Sequence, residues 1–156
     1  MDQLEATALL AYYQTAALTD DDPFDLPQAR VFTITADGEV RMMIAAGDVY
    51  LGLHVLPAAY EKLGSDPIIG VETVGWAAPT ESPTDDIVPA DHPQRRRVRL
   101  VAVVNRDQKV ASALAFRDDV EDVQTNTTGE GSLAEALRDC MDRVKLMQSL
   151  PPRPER

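Results

Sequence analysis

The sequence predicts an α+β fold in which an antiparallel sheet of five to six strands carries an N-terminal, a short middle and a C-terminal helix. Residues 98–104 and 110–116 are two apolar runs that flank the polar turn 105–109, which is typical of a β-hairpin. Apolar residues recur at helical spacing near both ends of the chain. Because hairpin signals follow one another between these helices, we expect antiparallel strands with the helices packed on them. A chain of 156 residues predicts one domain over residues 1–150 and a disordered tail over 151–156.

The first helix is predicted over residues 2–18. Asp2 and Glu5 have the spacing of a capping box, in which each side chain accepts a hydrogen bond from the backbone of the other. Apolar residues recur along one predicted face; they are Leu4, Ala8, Ala11 and Leu18, with Leu9 and Tyr12 alongside. This pattern predicts a helix with one face against the sheet.

A hairpin is predicted over residues 30–35 and 39–46, and two registers fit it. A two-residue turn at Asp37-Gly38 pairs Ile34 with Arg41 and mixes apolar with polar residues on each face. A three-residue loop that ends at a left-handed Gly38 pairs Ile34 with Val40 instead. We prefer the second register because it separates the two faces.

The middle of the chain predicts a third strand, a short helix and a fourth strand. Apolar residues alternate over residues 49–55, which is the strand period. Pro57 suits the first turn of a short helix over residues 58–63, which Gly64 ends. Residues 68–77 return to a strand pattern, in which Gly70 and Gly75 indicate bulges.

The second half predicts a long loop, a central hairpin, a polar connector and a last helix. The loop covers residues 79–93 and the connector residues 118–131. Strand 98–104 is apolar on both faces, so we expect it at the centre of the sheet. Ser132 and Glu135 predict a capping box for the last helix. The buried stripe of that helix is predicted to hold Leu133, Leu137, Cys140, Val144 and Met147, flanked by Ala136 and Met141.

Composition narrows the classes of partner. The formal net charge of -11 argues against nucleic acid and anionic membranes, since both are bound mainly through Lys and Arg. No apolar run is long enough to span a bilayer, and the acidic N-terminus is unlike a signal peptide. Cys140 is the single cysteine, which fits a reducing compartment. We therefore expect a cytoplasmic, soluble protein.

No catalytic motif stands out in the sequence. The chain has no nucleophile elbow, no P-loop and no dinucleotide-binding glycine motif. We expect Glu72 to point outward from its strand, because carboxylates are rarely buried unpaired. The predicted loop carries Asp85, Asp86, Asp91 and His92, which could hold a divalent cation, although a solvated acidic loop is favoured. We predict no cofactor, and keep a hydrolase with an acidic, metal-assisted site as the alternative.

The predicted partner-binding surface combines the acidic loop with the dense basic segment after it. Its candidate residues are Trp76, Asp85, Asp86, Asp91, His92, Arg95, Arg96, Arg97 and Arg99. The arginines can bind a carboxylate or phosphate partner, but we favour internal charge balance against the neighbouring acidic segments. The resulting hypothesis is a non-catalytic binding or scaffolding protein, chaperone-like or regulatory, that contacts another protein or a second copy of itself.

Three segments carry a resemblance to a family. These segments read GWAAP at residues 75–79, HPQRRRVRLV at 92–101 and GSLAEAL at 131–137. In them the chain resembles small uncharacterised proteins of high-GC Gram-positive bacteria and their phages, which implies no activity and no site residues. The predicted element order also looks like that of secretion chaperones, whose members dimerise and hold partner segments, although fold alone does not imply function.

Overall fold

The computed structural model describes residues 1–20, 22–77, 93–127 and 129–151. In chain order, the elements are helix α1 (Gln3–Ala17), strands β1 (Ala29–Ile34) and β2 (Val40–Ala46), helix α2 (Val49–Val55), a 3₁₀ helix (Leu56–Lys62), strands β3 (Ile68–Ala77), β4 (Arg96–Val104), β5 (Val110–Phe116) and β6 (Asp119–Asn126), and helix α3 (Ser132–Ser149). The strands form one antiparallel sheet of six strands in the order β2-β1-β3-β4-β5-β6. The predicted α+β fold is therefore confirmed.

The sheet has a core on each face, so the domain has three layers. Helix α1 covers one face, which we call the α1 face, and its core contains Ala8, Ala11, Tyr12, Phe24, Phe32, Ile34, Val101, Val103, Ala111, Ala113 and Ala115. Helix α2, the 3₁₀ helix and α3 cover the opposite face, which we call the α3 face. Its core includes Val31, Leu53, Leu56, Ile69, Val71, Ala102, Val104, Leu137, Met141 and Val144.

The central strand is β4, as its apolar pattern predicts. It lies between β3 and β5. Val101 and Val103 are fully buried on the α1 face, while Ala102 and Val104 are buried on the α3 face. A strand buried on both faces needs apolar residues at every position, which is why this run shows no alternation.

Helix α1 and the first hairpin also form as predicted. Asp2 Oδ1 accepts a hydrogen bond from the backbone N–H of Glu5 at 2.8 Å, and the reciprocal bond completes the capping box. Ile34 pairs with Val40, and Gly38 has a φ of +82° in the connecting loop. Leu18, predicted on the buried face of α1, lies at the C-terminal cap and is exposed.

Residues 49–55 form helix α2, so the predicted third strand is wrong. The Asp48 side chain accepts a hydrogen bond from the backbone N–H of Leu51 at 2.8 Å and thereby caps the helix. Val49, Leu53 and Leu56 are buried at the spacing of one helix face. Positions 49 and 53 satisfy both the strand and the helix period, so seven residues do not separate the two by periodicity.

Within the predicted connector, residues 119–126 form strand β6 instead of a loop. This strand lies at an edge of the sheet, and most of its residues are exposed. Polar and acidic residues are common on edge strands because they prevent pairing with further strands. The sequence did not predict this strand, because its residues are mostly polar.

Two local expectations are also corrected. Helix α3 begins at Ser132 itself without a capping box, and the Ser132 hydroxyl lies 2.9 Å from that of Tyr50. Gly70 marks no bulge, because β3 pairs without interruption with both of its neighbours. A Cβ atom at Gly70 would collide with the ring of Phe32, so glycine here allows that ring to lie across the strand. Residues 79–92 of the predicted loop and 152–156 of the predicted tail lie outside the described residues.

Candidate functional site

Trp76 and the basic segment meet at one end of the sheet. Trp76, near the end of β3, is the cross-strand neighbour of Arg97 on β4. The guanidinium groups of Arg95 and Arg97 lie 4.7 and 4.8 Å from the centre of the Trp76 ring. Such distances are typical of cation–π contacts. The predicted candidates Trp76, Arg95 and Arg97 are therefore brought together, with the indole 38% exposed.

Two of the arginines pair with nearby carboxylates. Arg96 donates hydrogen bonds of 2.9 and 2.5 Å to the two carboxylate oxygens of Asp118. That contact holds the pKa of the Asp118 carboxyl below its usual value. Arg97 lies 3.5 Å from Asp25 and donates from Nε to the carbonyl oxygen of Phe24 at 2.8 Å. These arginines act as internal counter-charges, which agrees with the favoured interpretation of the basic segment.

Glu72 and Arg99 form an ion pair in the interior, so the prediction that Glu72 points outward is wrong. Both side chains are fully buried, and Arg99 Nη2 donates to Glu72 Oε2. Arg30 donates to the other oxygen of Glu72. Arg99 also donates to the carbonyl oxygen of Tyr12 at 2.9 Å and to the hydroxyl of Thr15 at 2.6 Å. A carboxylate is buried here because two arginines surround it, and together they tie β1, β3 and β4 to α1.

Asp85, Asp86, Asp91 and His92 lie outside the described residues. Within the described ranges, no group of three or more His, Cys, Asp or Glu side chains is arranged to hold a metal ion. Glu72, the described member of the acidic hydrolase set, is engaged by Arg30 and Arg99.

The cysteine thiol is buried, as predicted. Cys140 is 1% exposed on the inner face of α3. Burial raises the pKa of its thiol to about 12, so the thiol is protonated at neutral pH. A protonated and enclosed thiol is a small apolar side chain rather than a nucleophile.

A groove of about 710 Å³ lies at the opposite end of the sheet from Trp76. It runs between α1 and the ends of β1 and β3, and the turn between β4 and β5 closes it. Its lining residues are Gln3, Leu4, Thr7, Leu10, Ala11, Gln14, Ile34, Thr35, Ala36, Gly38, Asp66, Ile68, Asn105, Arg106 and Asp107. The lining combines apolar side chains, amide and hydroxyl side chains, and the charged residues Asp66, Arg106 and Asp107. Trp76 and the arginines of the basic segment take no part in it.

The outer face of α1 is exposed and carries no charge. Its outward residues begin with Gln3 and continue with Ala6, Leu10, Tyr13 and Ala17; we call these last four the α1 stripe. Leu10 is 53% exposed and Tyr13 is 54% exposed, and Leu10 also lines the groove. Glu5 is the one charged residue among the fifteen of α1, and its Oε2 accepts a hydrogen bond from the Thr125 hydroxyl at 2.7 Å.

Helix α3, unlike α1, carries charged residues on its exposed side. Its inner face is apolar, and its exposed positions include Glu135, Asp139 and Asp142. A helix at a water-exposed surface normally carries charge on its outer side, whereas a helix that is apolar all round is normally buried. By this criterion α3 is an ordinary surface helix, whereas the outer side of α1 is exposed but carries no charge.

The α1 stripe and the groove were not among the predicted site residues. The low charge of α1 and the spacing of its apolar residues are both visible in the sequence. What the sequence did not show is which of its apolar residues the sheet covers. Within the described residues, none of the helices has the length and apolar character needed to cross a membrane. Comparisons of the chain with protein-family models, with curated proteins and with solved structures find no match.

Proposed function

We propose that this chain is a non-catalytic protein-binding domain, chaperone-like or regulatory, that holds its partner on the α1 side. The observation that carries the proposal is the uncharged, exposed outer face of α1 in a chain with a net charge of -11. Contiguous exposed apolar surface marks interaction sites, and the cores of protein interfaces are depleted of charge and enriched in Tyr. The α1 stripe has these properties around Leu10 and Tyr13.

The energetic gain from covering this face is appreciable. Fully burying a large apolar side chain contributes about 1.5–3 kcal/mol. Leu10 and Tyr13 each leave about half of their surface exposed, so burying the remainder would contribute on the order of 1 kcal/mol each. A partner that covers the whole stripe gains this energy without burying a charge of this chain.

The groove beside the stripe supports the same function. Its volume of about 710 Å³ lies in the range of ordinary binding sites. Gln14, Thr35 and Asn105 line it with amide and hydroxyl groups of the kind that can hydrogen-bond a peptide backbone. Asp66 and Asp107 add carboxylates to the lining, and these can accept hydrogen bonds from a peptide.

The charges of the molecule favour a protein partner over a nucleic acid. Arg96, Arg97 and Arg99 are all matched by carboxylates within the fold. They therefore offer little unpaired positive charge to a phosphate backbone. A buried, unpaired Cys140 fits a reducing compartment, so we place this function in the cytoplasm.

Site-specific photo-crosslinking tests the proposal. A photoreactive phenylalanine analogue replaces Tyr13 on the α1 side, and the matched control carries it at Leu146, which is 61% exposed on α3. In cells that produce the protein, we expect a discrete crosslinked species from position 13 that disappears when Leu10→Asp is added. Equal crosslinking from both positions, or none from position 13, would contradict the proposal.

A further inference from the structure

We infer that the groove beside α1 binds an extended peptide segment of a partner protein, in which apolar residues are combined with a lysine or an arginine. This inference rests on the proposed function, because it names the chemistry of the partner held on the α1 side. It is carried by three properties of the groove: its length, the apolar side chains along it and the unpaired carboxylates in its lining.

The groove is long and open, which suits an extended chain. Its α1 wall runs from Gln3 to Gln14, a length of about 16 Å at the rise of an α-helix. The opposite side is formed at the ends of three neighbouring strands, by Ile34 of β1, Ile68 of β3 and Asn105 after β4. Because an extended peptide advances about 3.3 Å per residue, about five residues fit along this length.

Apolar side chains line both sides of the groove. Leu4 and Leu10 lie on the α1 wall, and Ile34 and Ile68 lie on the strand side. Leu10 is more than half exposed, and Leu4 and Ile68 are partly buried. Since successive side chains of an extended peptide point to opposite sides, every second residue of the ligand faces into the groove. We expect Leu, Ile, Val or Met at those inward positions.

The carboxylates of the groove carry unpaired negative charge. Asp66, just before β3, and Asp107, in the turn after β4, are exposed in its lining. They lie at neighbouring strand ends, because Ile69 of β3 pairs with Val104 of β4. Among the described residues, no ion pair engages either carboxylate. A basic residue of the ligand can therefore pair with them.

Positive charge at this end of the sheet lies mostly outside the groove. Arg106 is the one lysine or arginine among the described residues that line it, and its Nη1 donates to the carbonyl oxygen of Ser65 at 3.1 Å and to Gln148 of α3 at 2.9 Å. Because α3 covers the opposite face of the sheet, these bonds draw the guanidinium away from the groove. Arg41 and Lys62 line a smaller adjoining hollow of about 310 Å³ instead. The groove thus complements a basic ligand and repels an acidic one.

The polar groups favour a peptide over a metal ion. Gln3 and Gln14 place amide groups at the two ends of the α1 wall, where they can donate to and accept from a peptide backbone. A metal ion instead requires several ligand atoms around one point. No such group of His, Cys, Asp or Glu side chains occurs in the part of the chain that the structure describes.

Selection from a phage-displayed library of random seven-residue peptides, with the full chain as bait, tests the inference. We expect the enriched peptides to combine Lys or Arg with apolar residues at alternate positions. Fluorescence anisotropy then gives the dissociation constant of a labelled, enriched peptide. It should rise by about two- to fivefold in Asp66→Asn and in Asp107→Asn, which is the range that exposed ion pairs contribute. It should also rise with salt, because exposed charges are screened.

A charge reversal separates the groove from the overall charge of the chain. Asp107→Lys should raise the dissociation constant by roughly tenfold, because it replaces an attraction by a repulsion. The matched control Asp139→Lys makes the same change on the exposed side of α3 and should leave the constant unchanged. Both positions are exposed, so circular dichroism should show the same fold for both variants. Equal weakening by the two variants overturns the inference, as does enrichment of acidic or uncharged peptides, or of none.

Nuclear magnetic resonance locates the bound peptide. The amide resonances of Thr7, Leu10 and Ile68 should shift on titration with the enriched peptide, while those of α3 should not. Shifts centred on Trp76 would place the ligand elsewhere and overturn the inference. A groove occupied by a second copy of the chain would appear as a doubled mass in ultracentrifugation that the peptide does not reverse, and this result also overturns it.

The two proposals fail in different ways. A crosslink from position 13 to a protein whose binding Asp107→Lys does not weaken keeps the binding function and overturns the basic ligand. Enriched basic peptides that bind the groove, without a crosslink from position 13, keep the ligand and overturn the role of the α1 stripe. The absence of both the crosslink and any enriched peptide overturns both proposals.

Discussion

Replacing Glu72 by glutamine tests how strongly the buried ion pair holds α1 on the sheet. The substitution keeps the size of the side chain and removes its charge. The amide oxygen of glutamine can still accept a hydrogen bond, but the fully buried guanidinium of Arg99 then has uncharged acceptors alone, among them the Tyr12 carbonyl and the Thr15 hydroxyl. Arg30 is less affected, because its side chain is 17% exposed and it retains a bond of 3.0 Å to the carbonyl oxygen of Thr15.

The expected cost follows from the burial of both charges. Two unit charges about 4 Å apart attract by about 4 kcal/mol at an effective dielectric constant near 20. Removing one member of a buried ion pair destabilises proteins by about 3–5 kcal/mol, because the other charge remains without compensation. We therefore expect Glu72→Gln to lower the free energy of unfolding by about 4 kcal/mol, a large share of the 5–15 kcal/mol typical of a domain.

The assay is urea unfolding, followed by circular dichroism and by the fluorescence of Trp76. A double-mutant cycle uses Glu72→Leu and Arg99→Met, alone and combined. Since an apolar pair often replaces a buried ion pair at little cost, the double variant should be more stable than the sum of the single losses predicts, by about 2 kcal/mol or more.

Two results would refute the reasoning about Glu72. One is a loss of less than about 1 kcal/mol for Glu72→Gln, which would mean that water or a rearrangement compensates Arg99. The other is a double variant whose loss of unfolding free energy equals the sum of the losses of Glu72→Leu and Arg99→Met. That result would mean that Glu72 and Arg99 act independently despite their contact.

Other substitutions probe the sheet, the thiol and an exposed ion pair. Gly70→Ala should cost about 1–3 kcal/mol in urea unfolding, because its Cβ meets the cross-strand phenylalanine ring, whereas Gly75→Ala points into open space and should not destabilise the protein. The thiol of Cys140 has a pKa raised to about 12, and in the native protein it should react with a chromogenic disulfide only as fast as the protein unfolds. In denaturant the same thiol should react at once. Fast reaction in the native state would contradict its burial. In an NMR titration, the pKa of the Asp118 carboxyl should lie below its ordinary value and should return toward that value in Arg96→Gln. The stability that this pair contributes is present above the unfolded-state pKa, and it is lost as the pH falls through the lowered pKa. An unchanged titration in that variant would assign the shift to another cause.

Much of the fold follows from local patterns. The Asp2 and Glu5 capping box, the register that pairs Ile34 with Val40, and the doubly buried central strand were all predicted from neighbouring residues. Each depends on interactions within a turn or across one hairpin, which a short stretch of sequence specifies. Helix α2 was not predicted because its seven residues fit two periods, and β6 was not because an edge strand needs little apolar character.

Sequence patterns predicted less of the candidate site than of the fold. Trp76 and the arginines were identified as unusual residues, and the structure places Trp76, Arg95 and Arg97 together. Their sequence could not show that Glu72, 27 residues before Arg99, would be its buried partner. That pairing depends on which face of β3 and of β4 lies under α1.

The sequence by itself determined an acidic α+β domain with caps, turns and a central strand in predictable places. It also contained helix α1, in which Glu5 is the single charged residue. Only the tertiary structure decided that Ala8, Ala11 and Tyr12 face the sheet, while Leu10 and Tyr13 face outward. The physical reason is that period and propensity act over a few residues, whereas the buried face of a helix is chosen by the long-range packing of the whole sheet against it.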